Sequence, residues 1–266
     1  MEQYFGTDIQ VKLQRRSDEC TSWMYSTAGA CHPGRCLGCD DPEELGWDVI
    51  FEHLKRDGRF GFRMIPADTV GLIREKLAAE GFGIGFWSVY TGNSTDILEA
   101  TEQLVRKELP ERLEYISEID LQDPKVIKQI QVFLADNGIP PVSGLMLSGQ
   151  SVDACTTVVR EISGDIIATA YGYFAHNKQS RHCKTGWGGL VAVDAGYRGR
   201  GLGVLVNGTM VRRCIKELGA TDFYEQVSAE NKISQRMVER CGLKLDESVL
   251  CGIATSAKEG FQFWGK

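Results

Sequence analysis

The sequence has 266 residues, of which 42% are hydrophobic and 25% charged, and its net charge is -6. These values suit a globular chain with a buried core, in one large domain or two small ones. The acidic balance argues against a broad nucleic-acid surface, and no apolar run is long enough for a membrane span. The first ten residues, MEQYFGTDIQ, lack the basic start and apolar core of a signal peptide. The expected location is therefore cytoplasmic. The nine cysteines, an odd number spread through apolar segments, fit reduced thiols better than a disulfide framework.

Residues 1–60 show no sustained period. Within them, Cys31, Cys36 and Cys39 have a spacing at which thiolates hold zinc or iron–sulfur, with Cys20 or His32 as a fourth ligand. The spacing is not a paired C-x-x-C arrangement, so a cysteine-rich loop without metal is expected. Leu45, Ile50, Phe51 and Leu54 share one face of a helix over 41–55. A strand is expected over 60–65. Asp68 is placed to cap a helix carrying Val70, Ile73 and Leu77, with Gly81 as its stop. FGIGFWSVY reads as a buried strand, and a helix over 96–109 ends at Pro110. Residues 1–112 are thus expected to form an α/β unit that carries no chemical motif.

A second unit is expected over 113–266. It begins with a short strand at 115–119. Asp123-Pro124 starts a helix with the apolar stripe Val126, Ile130, Phe133 and Leu134, and Asn137-Gly138 ends it. Strands over 154–162 and 165–175 flank a Ser163-Gly164 turn. Further strands are expected at 187–193, 224–227 and 249–254, with a helix over 232–241 before the last of them.

The informative segment is GLVAVDAGYRGRGLGVLVNGTMVRRCIKELGA. An apolar strand enters a glycine loop, and the loop opens a helix with Val211, Cys214, Ile215 and Leu218 on its apolar face. The first N–H groups of a helix lack internal partners, and the helix dipole adds positive potential there, so this junction is an anion site. Gly201 and Gly203 allow close approach to the backbone, while Arg198 and Arg200 add full charges. The glycines fall at every second position, which matches neither the dinucleotide fingerprint nor the strict P-loop.

The run Arg198-Gly199-Arg200-Gly201-Leu202-Gly203, after Val191, Val193, Asp194 and Tyr197, resembles the acetyl-CoA loop of the GNAT superfamily of N-acetyltransferases. SAENKISQRMVERCGLK is similar to that family's later block, with Asn231 opening a helix that closes on Cys241-Gly242-Leu243. The resemblance covers about 115–255. It implies an α/β (α+β) fold with a mixed, mostly antiparallel sheet flanked by helices. It also implies acetyl-CoA as cosubstrate and no metal. Pantetheine would pair with the strand edge at Val191, Ala192 and Val193, and the pyrophosphate would sit on the backbone of Gly199 to Val204. Asn231 would contact the pantetheine end or brace the gap. A small-molecule or protein amine would attack the thioester directly, in a ternary complex. Neither nucleic acid nor membrane is an expected partner, and a homodimer is compatible with the sequence.

The resemblance breaks at two positions. Gln226 stands where the family usually keeps a glutamate base, and Val238 where it often keeps a tyrosine acid. Neither side chain can move a proton. Tyr224, on the same strand face as Gln226, and His182 are the replacement candidates, with His176 behind them. Glu225 points the other way and reads as structural. A catalytically silent acyl-CoA-binding module is the rival function.

Overall fold

The computed structural model describes residues 3–256. Its N-terminal region is regular despite the absence of a period. Thr7 and Gln10 form a reciprocal capping box at the start of α1 (Asp8–Glu19), which runs into α2 (Thr21–Ser26). Two short strands, β1 (Ala30–Cys31) and β2 (Gly38–Cys39), pair antiparallel. The helix expected over 41–55 is two helices, α3 (Pro42–Leu45) and α4 (Trp47–Asp57). They break at Gly46, whose φ of +91° is outside helical geometry. Strand β3 (Arg59–Pro66) leads through a 3-10 turn at Ala67–Thr69 into α5 (Val70–Ala79). Asp68 lies inside that turn and caps nothing, because the turn supplies the entry instead. Strand β4 (Phe82–Asn93) is followed by α6 (Ser94–Val105), capped by Asn93.

The first strand of the second part, β5 (Leu113–Tyr115), is earlier and shorter than expected. Helix α7 (Pro124–Asp136) has Asp123 as its cap and proline in its first turn, and α8 (Gly144–Leu147) adds one turn. Strands β6 (Ala154–Glu161), β7 (Ile166–Phe174) and β8 (Thr185–Val193) precede α9 (Leu202–Lys216). Strand β9 (Asp222–Val227), α10 (Lys232–Arg240) and β10 (Lys244–Ser256) complete the order.

All ten strands form one sheet in the order β1-β2-β3-β10-β4-β9-β8-β7-β6-β5. Pairing is antiparallel except between β2 and β3 and between β8 and β9. The fold is therefore α/β with a mixed, mostly antiparallel sheet flanked by helices. The two parts of the chain share this sheet: β4 lies between β9 and β10, and β10 lies between β3 and β4. One apolar layer joins α9, through Val206, Met210 and Val211, to the sheet; another gathers Ile130, Leu134 and Met146 of α7 and α8 with Tyr171 and Tyr173. Each such buried side chain contributes about 1.5–3 kcal/mol.

Two bulges in this sheet hold non-glycine residues of positive φ. On β8, Leu190 and Val191 together face the one residue of β7 between Thr169 and Tyr171. On β3, Arg63 and Met64 together face the one residue of β10 between Leu250 and Gly252. Leu190 and Met64 carry φ of +52° and +53°, a conformation that costs a non-glycine residue about 1–3 kcal/mol. Such bulges re-aim side chains and end strand pairing.

Candidate active site

Strands β8 and β9 pair in parallel only from Thr185 to Gly188. After the Gly188–Glu225 pair, the edge of β8 that faces β9 has no strand partner. The bulge at Leu190 bends β8 away at that point, and Thr169 Oγ1 holds it by donating to the Leu190 carbonyl at 2.9 Å. The result is a V-shaped gap in the middle of the sheet, with free backbone N–H and C=O groups along one arm.

A cavity of about 500 Å³ fills the wide end of the gap. Val191, Ala192 and Val193 line one side of it, and Gly199, Gly201, Leu202, Gly203 and Val204 line the end at the start of α9. Gly199 and Gly201 have φ of +76° and +83°, so the loop turns as only glycine does at low cost. No side chain caps α9 at Gly201, which leaves its first N–H groups aimed at the cavity. Arg198 also lines the cavity but is braced: Nε donates to the Val193 carbonyl at 3.0 Å and Nη2 to Asn137 Oδ1 at 2.9 Å. The Arg200 guanidinium lies over the Tyr197 ring at 5.1 Å and does not reach the cavity wall. Nor does Asn231, whose Oδ1 accepts from the Ser234 N–H as the cap of α10. One turn on, Ser234, Arg236, Met237 and Arg240 do line the cavity. Sequence reasoning does not single out Arg236 and Arg240, though their i,i+4 spacing on a helix packed against the loop is a signal that marks them. Among the described residues, no carboxylate lines this cavity, so its field favours an anion.

A second cavity of about 180 Å³ meets the first at Ile139. It lies at the narrow end of the gap, against Gly188, Gly189 and Leu190 of β8 and Gln226 of β9. Its far wall is Pro33, Arg35 and Cys36 from the loop between β1 and β2, with Arg63 and Trp187 at its base. Close packing fixes that loop: a Cβ at Gly61 would lie 2.5 Å from Pro33 Cγ, so the ring rests directly on the β3 backbone.

Residues 129–243 match the family model described as the acetyltransferase (GNAT) family. The chain carries a GNAT domain. Solved structures agree on the fold across both parts of the chain. A GCN5-related N-acetyltransferase from Kribbella flavida is 13% identical, with a TM-score of 0.56, and the match covers 94% of this chain and 96% of that one. A Drosophila protein is 15% identical with a TM-score of 0.56, covering 96% and 91%. A tandem GNAT protein from the clavulanic acid biosynthesis pathway is 10% identical with a TM-score of 0.54, covering 93% and 89%. No curated protein is similar enough to the sequence to count as a match.

Within the GNAT domain, the two positions that depart from the family sit differently. Gln226 lines the small cavity, and its buried Oε1 has no hydrogen-bond partner among the described residues. Val238 is fully buried on the inner face of α10. Tyr224 is buried too, and contacts neither cavity. Its hydroxyl lies 3.1 Å from His176 Nε2, and His176 Nδ1 lies 2.5 Å from Asp40 Oδ2. This buried chain joins residues 40, 176 and 224. Burial pushes the Tyr224 hydroxyl well above its ordinary value. His182 lines neither cavity; its Nε2 accepts from Arg181 Nε at 3.1 Å, and burial pushes the imidazole down to about 4. Glu225 faces the opposite side, where Asn207 Nδ2 donates to Oε1 at 2.7 Å. Burial raises its carboxyl to about 7.

Cys31, Cys36 and Cys39 are buried free thiols, and burial pushes Cys36 up to about 11. Among the described residues, no group of three or more His, Cys, Asp or Glu is arranged to hold a metal ion. No helix among them is long and apolar enough to cross a membrane.

Proposed function

We propose that the protein transfers acetyl from acetyl-CoA to an amine by direct attack in a ternary complex. One observation carries this reading: the gap between β8 and β9 opens to an anion-favouring cavity at one end and a small polar cavity at the other. The pyrophosphate rests on the N–H groups of Gly199 to Val204, at the helix N-terminus. The pantetheine amides pair with the open edge at Val191 to Val193. The thioester then reaches the narrow end, where we assign the oxyanion to backbone N–H groups of β8 at the bulge. The amine nitrogen bonds to the carbonyl carbon, the C–S bond breaks, and the thiolate takes up the proton that the nitrogen loses. Among the described residues, no Asp, Glu or His lines either cavity. The amine therefore attacks in its neutral form or releases its first proton to water, and orientation supplies much of the rate.

Tyr224 and His182 line neither cavity and act only through other groups. Tyr224 is the better placed, since its strand partner Trp187 lines the small cavity. All nine cysteines are unpaired, which supports a reducing, cytoplasmic setting. A silent acyl-CoA-binding module is the second reading, favoured by Gln226 and Val238 at the usual proton-transfer positions. Thiol release from acetyl-CoA across a panel of amines separates the two. The enzyme releases thiol with at least one amine, and the silent module binds acetyl-CoA without release.

A further inference from the structure

The small cavity at the narrow end of the gap holds an unusual set of polar atoms. Arg35 Nε, Arg63 Nε, Trp187 Nε1 and Gln226 Oε1 are all buried, and none has a hydrogen-bond partner among the described residues. Arg63 is 5% exposed and Trp187 6%. Buried polar groups are nearly always paired, and an unpaired one costs about 1–3 kcal/mol. Four of them around one cavity mark a place built to be completed by a ligand.

The charge of the site is equally one-sided. Neither Arg35 nor Arg63 forms an ion pair with a described residue. Arg63 has its Nη2 held by the Pro33 carbonyl at 2.8 Å, and its guanidinium lies over the Trp187 ring at 5.5 Å. The bulge at Arg63–Met64 turns the side chain to this place. The Arg35 guanidinium is pushed down to about 10, chiefly by burial and then by the Arg63 charge. A buried cation and a half-buried one, side by side without a carboxylate, are stabilised when an anion joins them.

The atom types also differ across the cavity. Three donors, Arg35 Nε, Arg63 Nε and Trp187 Nε1, stand opposite a single acceptor, Gln226 Oε1. A ligand that completes the set carries an anionic group for the donors and an N–H for Gln226. Its size is limited: about 180 Å³ is below the roughly 300 Å³ at which pockets for drug-sized ligands begin.

We propose that the acceptor is a small amine bearing a carboxylate, an amino acid of modest side chain, held by Arg35, Arg63 and Trp187 and aligned for attack by Gln226. This rests on the acyltransferase reading above and names its substrate class. The carboxylate pairs with the arginines, and the amine donates to Gln226 Oε1 as it faces the thioester at Leu190. In this arrangement Gln226, at the family's usual base position, serves to orient the nucleophile. The net reaction converts the amino acid and acetyl-CoA into the N-acetyl amino acid and CoA. The N–C bond replaces the C–S bond, and one proton passes from nitrogen to sulfur.

The test compares glycine, L-alanine and L-serine with glycinamide, L-alaninamide and L-serinamide, which keep the amine and lose the carboxylate. Binding is measured by calorimetry on the full chain loaded with CoA, which needs no turnover, and thiol release from acetyl-CoA is measured in parallel. At least one acid should bind and be acetylated with kcat/KM at least about 100-fold above its amide, as a site with buried donors rejects a ligand that leaves them unpaired. Arg63→Met and Arg35→Met should each reduce that ratio by tenfold or more, and Arg35→Lys should restore part of it. Arg35 is the less buried of the two, so its variants keep the test open if Arg63→Met does not fold. Equal use of acids and amides, or an unchanged ratio in a folded arginine variant, overturns the proposal. So does a failure of every acid to bind the CoA-loaded protein. Release with the amides alone would leave the acyltransferase reading intact and reject this one, while no binding of acetyl-CoA itself would reject the reading beneath both.

Discussion

Glu225 offers a measurement whose sign and size both come from the structure. Its carboxyl is 3% exposed, and its one described partner is Asn207. Burial raises it from 4.5 to about 7. Below pH 4.5 the folded and unfolded chains both hold the proton. Between pH 4.5 and 7 the unfolded chain loses it and the folded chain keeps it, so stability falls as pH rises through this window. The full loss, reached above pH 7, is roughly 3 kcal/mol. Glu225→Gln keeps an oxygen that accepts from Asn207 and removes the titration. Urea unfolding at pH 5 and pH 8 isolates the effect as a difference between the two proteins. The variant should match the wild type to within about 1 kcal/mol at pH 5 and exceed it by roughly 3 kcal/mol at pH 8. Parallel pH profiles for the two would refute the buried, proton-retaining state of Glu225.

The same geometry sets three further outcomes. Tyr224→Phe removes a hydroxyl that touches His176 outside both cavities; acetyl-CoA affinity should hold and kcat should fall by less than about tenfold. A fall of about 10²–10⁴-fold would instead put the hydroxyl at the reacting atoms. A fragment starting at Pro110 loses β4, the strand between β9 and β10, and should show neither a cooperative unfolding transition nor acetyl-CoA binding. A fragment that folds and binds like the full chain would show that the sheet shared by the two parts is dispensable. Gly201→Ala forces a side chain into a φ of +83°; stability should drop by about 1–3 kcal/mol in urea titration, and no change would mean that the loop has another conformation.

The cavity at the start of α9 is legible in the sequence because its parts are local. A strand, a glycine run and a helix start are consecutive residues, and helix N-terminus physics follows from their order. The bulge that opens the gap is not legible: Leu190 carries no residue signature for a positive φ, and the bend is set by pairing with β7. Asn231 can be read as a helix cap but not as lying outside the cavity, since that depends on how α10 packs on the loop. The small cavity is least legible. Arg35 and Arg63 come from the N-terminal part, where the sequence carries no chemical motif. They reach Gln226 only because β3, β10, β4 and β9 are neighbours in one sheet, contacts that span most of the chain. The same holds for the Asp40–His176–Tyr224 chain, in which residue 40 meets residue 176.

The proposed function puts acyl-CoA in the gap between β8 and β9, with its pyrophosphate on the α9 N-terminus. A Cβ at Gly203 would lie 3.5 Å from Val193 Cγ2 and 3.7 Å from Met237 Sδ, ordinary contacts that leave the fold undisturbed. The remaining atoms of Gly203→Glu would project a carboxylate toward the phosphates. Calorimetric titration of acetyl-CoA into the wild type and this variant tests the claim directly. The wild type should bind at one site per chain and the folded variant at least tenfold more weakly, a loss of about 1.4 kcal/mol or more. Equal affinity in the two proteins, or no binding to the wild type, would contradict it.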